Sequence, residues 1–89
     1  MINVYIPSPL RPFTDELSEI RIDGGTVGEV MENFKIRFPE VAARFFCPRA
    51  ARYLNLYLNE EDVRVLKKGM DTPVLEGDEL AIVFAVGGG

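Results

Sequence analysis

Apolar and polar residues alternate in four stretches of this chain and recur at helical spacing in a fifth. Ile2, Val4 and Ile6 are separated by Asn3 and Tyr5, the two-residue period of a strand with one buried face. Pro7-Ser8-Pro9 stops that strand, and Pro12 keeps the following loop irregular, because proline fixes φ and has no N–H to donate. Alternation resumes with Ile20 and Ile22 against Glu19 and Arg21 and closes at Asp23-Gly24-Gly25, so the first two strands read as a hairpin. The run from Thr26 to Glu29 spells a capping box: the Thr26 hydroxyl accepts from a free amide while Glu29 reaches back to the amide of Thr26. Val27, Val30, Met31, Phe34 and Phe38 then fall on one helical face, with Glu29, Glu32, Asn33, Lys35 and Arg37 on the other. Pro39 ends this helix, since the residue before a proline disfavours helical geometry. A short helical turn is expected from Glu40 to about Phe46.

The third strand runs from Tyr53 to Leu58, with Leu54, Leu56 and Leu58 in one row and Tyr53, Asn55 and Tyr57 in the other. Asn59–Asp62 predicts a turn and Val63-Arg64-Val65 a short edge strand, while Lys67–Gly69 and Asp71–Pro73 read as loop. Glu76-Gly77-Asp78 turns into a last strand in which Leu80, Ile82, Phe84 and Val86 alternate with Ala81, Val83 and Ala85. The order strand, strand, helix, strand, short strand, strand predicts an α+β chain of β-grasp (ubiquitin-like) architecture. It is a mixed sheet with one main helix packed on one face and the last strand central, parallel to the first. The predicted domain occupies residues 1–86 and a flexible glycine tail residues 87–89, with no internal repeat and no linker.

Composition narrows the chemistry. Eighty-nine residues, 47% hydrophobic and 27% charged, are enough for one small core and no more. The net charge of −4 argues against a nucleic-acid partner, whose phosphates would repel it; a basic patch on an enzyme is a better match. No apolar run approaches the roughly 20 residues of a membrane span, and the N-terminus lacks a signal-peptide pattern. A single cysteine, Cys47, makes no internal disulfide, which fits a reducing cytoplasm. The chain has no histidine, which removes the commonest general acid-base and most metal sites. Cys47 therefore reads as a structural thiol near a loop, and the chain is expected to hold no metal, bind no cofactor and catalyse nothing by itself.

Two features remain as candidates for function. Gly87-Gly88-Gly89 follow an apolar strand with no polar spacer. Without Cβ atoms such a run is a thin thread, reaching roughly 10 Å when extended, that can enter a channel closed to larger side chains. The second candidate is the sheet face turned away from the helix. By parity it carries Tyr5, Tyr53, Tyr57, Val83 and Ala85, an exposed aromatic patch suited to a partner protein.

Four segments together resemble the MoaD/ThiS family of ubiquitin-like sulfur carriers over nearly the whole chain. They are Ile6-Pro-Ser-Pro-Leu-Arg-Pro12, Asn55-Leu-Tyr-Leu-Asn-Glu-Glu-Asp-Val-Arg64, Glu76-Gly-Asp-Glu79 and the terminal Ala85-Val-Gly-Gly-Gly89. The early and middle segments look most like the subgroup that feeds sulfide to cysteine biosynthesis. Family tails often read Pro-Ala-Val-Ala-Gly-Gly. Here Phe84 and Gly87 stand where that pattern has proline and alanine, changes expected to loosen the tail. The resemblance implies that an E1-like adenylyltransferase, using ATP and Mg²⁺, activates the carboxylate of Gly89, and that a sulfur donor converts it to a thiocarboxylate. Gly87 and Gly88 would thread the enzyme channels, and the tyrosine face would dock the enzymes. The implied acceptor is a PLP-dependent cysteine synthase-like enzyme or the large subunit of molybdopterin synthase. A permanent small subunit of molybdopterin synthase, or a protein modifier joined to lysines, are the alternative roles.

Overall fold

The computed structural model describes residues 1–84. Its elements are β1 (Ile2–Tyr5), β2 (Glu19–Ile22), α1 (Val27–Arg37), α2 (Pro39–Phe45), α3 (Pro48–Ala51), β3 (Leu54–Leu58), β4 (Glu61–Asp62) and β5 (Glu79–Phe84). Short 3-10 turns occupy Ser8–Phe13, Val63–Val65 and Gly69–Asp71. One mixed sheet has the order β2-β1-β5-β3-β4. As the alternation predicts, β1 and β2 form an antiparallel pair, and β5 lies at the centre, parallel to β1 and antiparallel to β3.

The core forms where α1 lies on the sheet. Ile2, Val4, Ile20, Ile22, Leu80 and Ile82 from the strands meet Val27, Val30, Met31 and Phe34 from the helix, all buried. The helix starts where its cap dictates: the Glu29 amide donates to the Thr26 hydroxyl at 3.1 Å. The return half of the box is displaced by one residue, because the Glu29 carboxylate takes the amide of Gly25 at 2.7 Å rather than that of Thr26. At its far end α1 closes at Phe38, whose amide donates to the Phe34 carbonyl.

Several local expectations are corrected. The region after Pro39 is a seven-residue helix that begins on that proline, and α3 likewise begins on Pro48. Proline at the first helical position sacrifices no hydrogen bond, so a residue that ends one helix also opens the next. The loop after β1 contains the 3-10 turn Ser8–Phe13 around buried Leu10. The edge strand is not Val63–Val65 but Glu61–Asp62, pairing with Tyr57 and Leu58. Asn59 and Glu60 both adopt positive φ, 48° and 74°, which makes a two-residue hairpin turn and brings the strand back sooner. Asp62 then accepts the Arg64 amide at 2.8 Å and grips its guanidinium, bending the chain into the 3-10 turn.

Candidate functional site

The candidate face is positioned by β5. Its inner-face residues Leu80 and Ile82 are buried under α1, so its outer-face residues Ala81 and Val83 are held on the opposite side of a strand flanked on both edges. Register sets the rest. Ala81 lies between Tyr5 of β1 and Tyr57 of β3, and the row continues to Glu19 of β2 and Asp62 of β4. Val83 stands beside Asn55 and is 41% exposed. The open face is therefore a small floor, Ala81, between two phenol rings, with Val83 along the same strand and carboxylates at both ends of the row.

The electrostatics of this face are acidic. The Tyr5 hydroxyl donates to Glu79 Oε2 at 3.1 Å. Hydrogen bonding to Glu19 and Glu79, then partial desolvation and the two negative charges, push the Tyr5 pKa up to about 12, because each carboxylate opposes a phenolate beside it. At the far edge the Arg64 guanidinium holds the Asp62 carboxyl below its usual range. The face thus keeps Asp62 charged and Tyr5 neutral at physiological pH.

Tyr53 does not join this patch. The strand begins one residue later, at Leu54, so parity does not govern Tyr53, and its ring meets Phe84 edge-on at 6.2 Å. Phe84 also packs edge-on against Phe45 at 5.4 Å, and Phe45 stands 5.8 Å from Phe13. Arg44 covers the Phe13 ring at 4.7 Å and Arg52 the Tyr53 ring at 5.0 Å. The Phe84 side chain is thus clasped by two others. Ala85 and the glycines Gly87, Gly88 and Gly89 lie outside the described residues, as does the predicted boundary between domain and tail.

Cys47 is a half-buried free thiol at the junction of α2 and α3, with Sγ 4.0 Å from the Arg44 carbonyl. Among the described residues no group of three or more His, Cys, Asp or Glu side chains could hold a metal ion. No helix there is long and apolar enough to cross a membrane. The face residue that sequence reasoning passed over is Ala81, too small to draw notice; the packing of Phe84 became visible only once its neighbours Phe45 and Tyr53 were known.

Comparison with known proteins gives this geometry a context. The profile of the ThiS family matches residues 4–89. The sulfur carrier protein CysO of Mycobacterium tuberculosis is 33% identical over 92 residues, covering 99% of this chain and 98% of the relative. The CysO chain in a crystal structure of the Amycolatopsis orientalis BexX/CysO complex superposes with a TM-score of 0.84 at 34% identity, covering all of both chains. Small archaeal modifier protein 1 of Methanosarcina acetivorans superposes with a TM-score of 0.81 over 99% of this chain and 95% of its own, at 22% identity, a likeness of fold alone.

Proposed function

From the premise that this chain belongs to the ThiS family, we propose that it carries sulfur as a thiocarboxylate on Gly89, for a pathway that makes cysteine. Its named relatives are sulfur carriers rather than catalysts, and it is a homologue of CysO. A free carboxylate is a poor acyl donor. An E1-like partner with ATP and Mg²⁺ would join it to AMP, releasing pyrophosphate, and a sulfide equivalent would then displace AMP. The resulting sulfur is a soft nucleophile, ionised at neutral pH, and an aminoacrylate held on a PLP enzyme is a suitable acceptor. Hydrolysis after transfer returns the Gly89 carboxylate. ATP, Mg²⁺ and PLP belong to the partners in this reading.

The carrier chain's part is presentation. Gly87 and Gly88 pass through channels that admit no side chain, while the face of Tyr5, Ala81, Tyr57 and Val83 docks a partner patch that is apolar at its centre and basic at its rim. The observation that carries the proposal is similarity to a sulfur carrier over 99% of the chain, with the family match running through residue 89.

The test is intact-mass analysis after incubation with ATP, Mg²⁺, sulfide and the activating enzyme of the same organism. The full chain should gain the mass of one oxygen-to-sulfur exchange, and a chain lacking Gly88 and Gly89 should not, while both unfold at the same temperature. Equal loading of the truncated chain, or no loading of the full one, defeats the proposal.

A further inference from the structure

The backbone grip on β5 changes along its length. From Glu79 to Ala81 the strand is paired with β1 on one edge, and from Leu80 to Phe84 it is paired with β3 on the other. Among the described residues Ile82, Val83 and Phe84 therefore have a strand neighbour on one side only. That neighbour runs out too, since β3 begins at Leu54, the partner of Phe84. A strand end held by half a ladder frays at little cost.

What pins it here is a side chain. Phe84 meets Phe45 of α2 edge-on at 5.4 Å and 85°, and Tyr53 edge-on at 6.2 Å and 72°. Aromatic pairs in this geometry attract beyond the area they bury. The two jaws are themselves fixed. Phe45 stands 5.8 Å from Phe13, and Phe13, Phe45 and Phe84 all pack against the buried core. The Tyr53 amide donates to the Ala50 carbonyl at 2.9 Å, and its hydroxyl accepts from Arg52 at 3.1 Å. The 3-10 turn after β1, the helix α2 and the approach to β3 thus converge on residue 84.

Five residues follow it in the sequence, Ala85-Val86-Gly87-Gly88-Gly89. Five residues span at most about 17 Å, so the point at which the chain is anchored sets how far Gly89 reaches from the Tyr5–Tyr57 face. We propose that Phe84 is a positioning residue for the reaction at Gly89. Its clasp between Phe45 and Tyr53 fixes the origin of the tail, and a partner docked on the sheet face then meets the terminal carboxylate at a set distance. The inference rests on the carrier reading and adds to it the residue that sets the tail's reach. Without the clasp, residues back toward Ala81 must be ordered again on docking. Each such residue lowers the fraction of complexes with the terminus in place by about tenfold.

The experiment follows sulfur loading by intact mass over a range of carrier concentrations, with the activating enzyme, ATP, Mg²⁺ and sulfide. Phe84→Ala should lower kcat about tenfold at a KM within about twofold of the parent, because the sheet face still docks and only the placement of Gly89 suffers. Phe84→Tyr should restore kcat. Phe45→Ala should reproduce the loss, and the double variant Phe84→Ala/Phe45→Ala should lose no more than either single one. Tyr53→Ala removes the other jaw without opening the core, and serves where a core variant fails to fold. Order parameters from ¹⁵N relaxation give a readout independent of loading: at Val83 and Phe84 they should be about 0.85 in the parent and fall below about 0.6 in Tyr53→Ala. A parent-like kcat in Phe84→Ala, or a raised KM in place of the lowered kcat, overturns the proposal. So does full activity of Phe45→Ala and Tyr53→Ala beside an impaired Phe84→Ala, or low order at Val83 and Phe84 already in the parent. A parent that takes up no sulfur defeats the carrier reading and this inference with it, whereas a loaded parent with an unaffected Phe84→Ala defeats this inference alone.

Discussion

Ala81→Lys separates docking from folding. Ala81 lies in register between Tyr5 and Tyr57, and residues directly opposite on neighbouring strands hold their Cβ atoms about 4.5–5.5 Å apart. A lysine stem there fills the floor between the two rings and raises a cation above them. An apolar side chain that a partner seats on this floor would lose about 2 kcal/mol of burial. The new charge, facing a basic partner rim across solvent, adds about 1 kcal/mol of repulsion. The sum, about 3 kcal/mol, corresponds to roughly 100-fold weaker binding. The fold should hardly notice, because the side chain projects from the open face and such surface substitutions stay within about 0.5 kcal/mol. Calorimetric titration of the activating enzyme, paired with thermal unfolding of the isolated chain, measures both quantities. A Kd within about twofold of the parent, with an unchanged melting curve, would remove this face from the docking surface.

Other consequences concern the fold and its titration. Gly24 has φ of +156°, and a Cβ there would lie 2.6 Å from Val30 Cγ2 and 2.7 Å from the Val30 backbone nitrogen. Gly24→Ala must therefore push α1 off the hairpin, at a cost of about 2–4 kcal/mol in urea denaturation; a loss under about 0.5 kcal/mol contradicts the packing described. Tyr5 should ionise late, near pH 12. Ultraviolet titration should show that component vanish in Tyr5→Phe, and its persistence would refute the pairing with Glu19 and Glu79. Because the folded pKa is raised above the ordinary 10.0, the stabilisation is complete below pH 10 and is lost as pH rises toward 12. The parent's advantage over Tyr5→Phe should shrink across that window.

How much was legible depended on how local each determinant is. The periods of two and of 3.6 residues placed β1, β2, α1 and β5, because those elements each bury one face against a common core. Val63-Arg64-Val65 has the same alternation yet is a 3-10 turn, since strand length here was decided by the backbone of Asn59 and Glu60 and by the grip of Asp62 on Arg64. Neither is a matter of hydrophobic period. Pro39 was read only as a breaker, although it also suits a first helical position. On the open face, parity found Tyr5, Tyr57 and Val83 but misplaced Tyr53 by assuming a strand one residue too long. Ala81 acquires meaning only from register, which joins three strands distant in sequence. The glycine run needed no structure to be noticed, being a statement about missing side chains.

The central place of β5 has a consequence for how the molecule comes into being. β1–β2 and β3–β4 are each local hairpins, and both are made before β5. Without β5 the two pairs share no strand pairing among the described residues. One insertion zips both seams at once, and the same segment leads directly into the glycines. On the proposed carrier reading, an activating enzyme that docks on the β5 face would therefore charge molecules whose core is complete and pass over half-made ones.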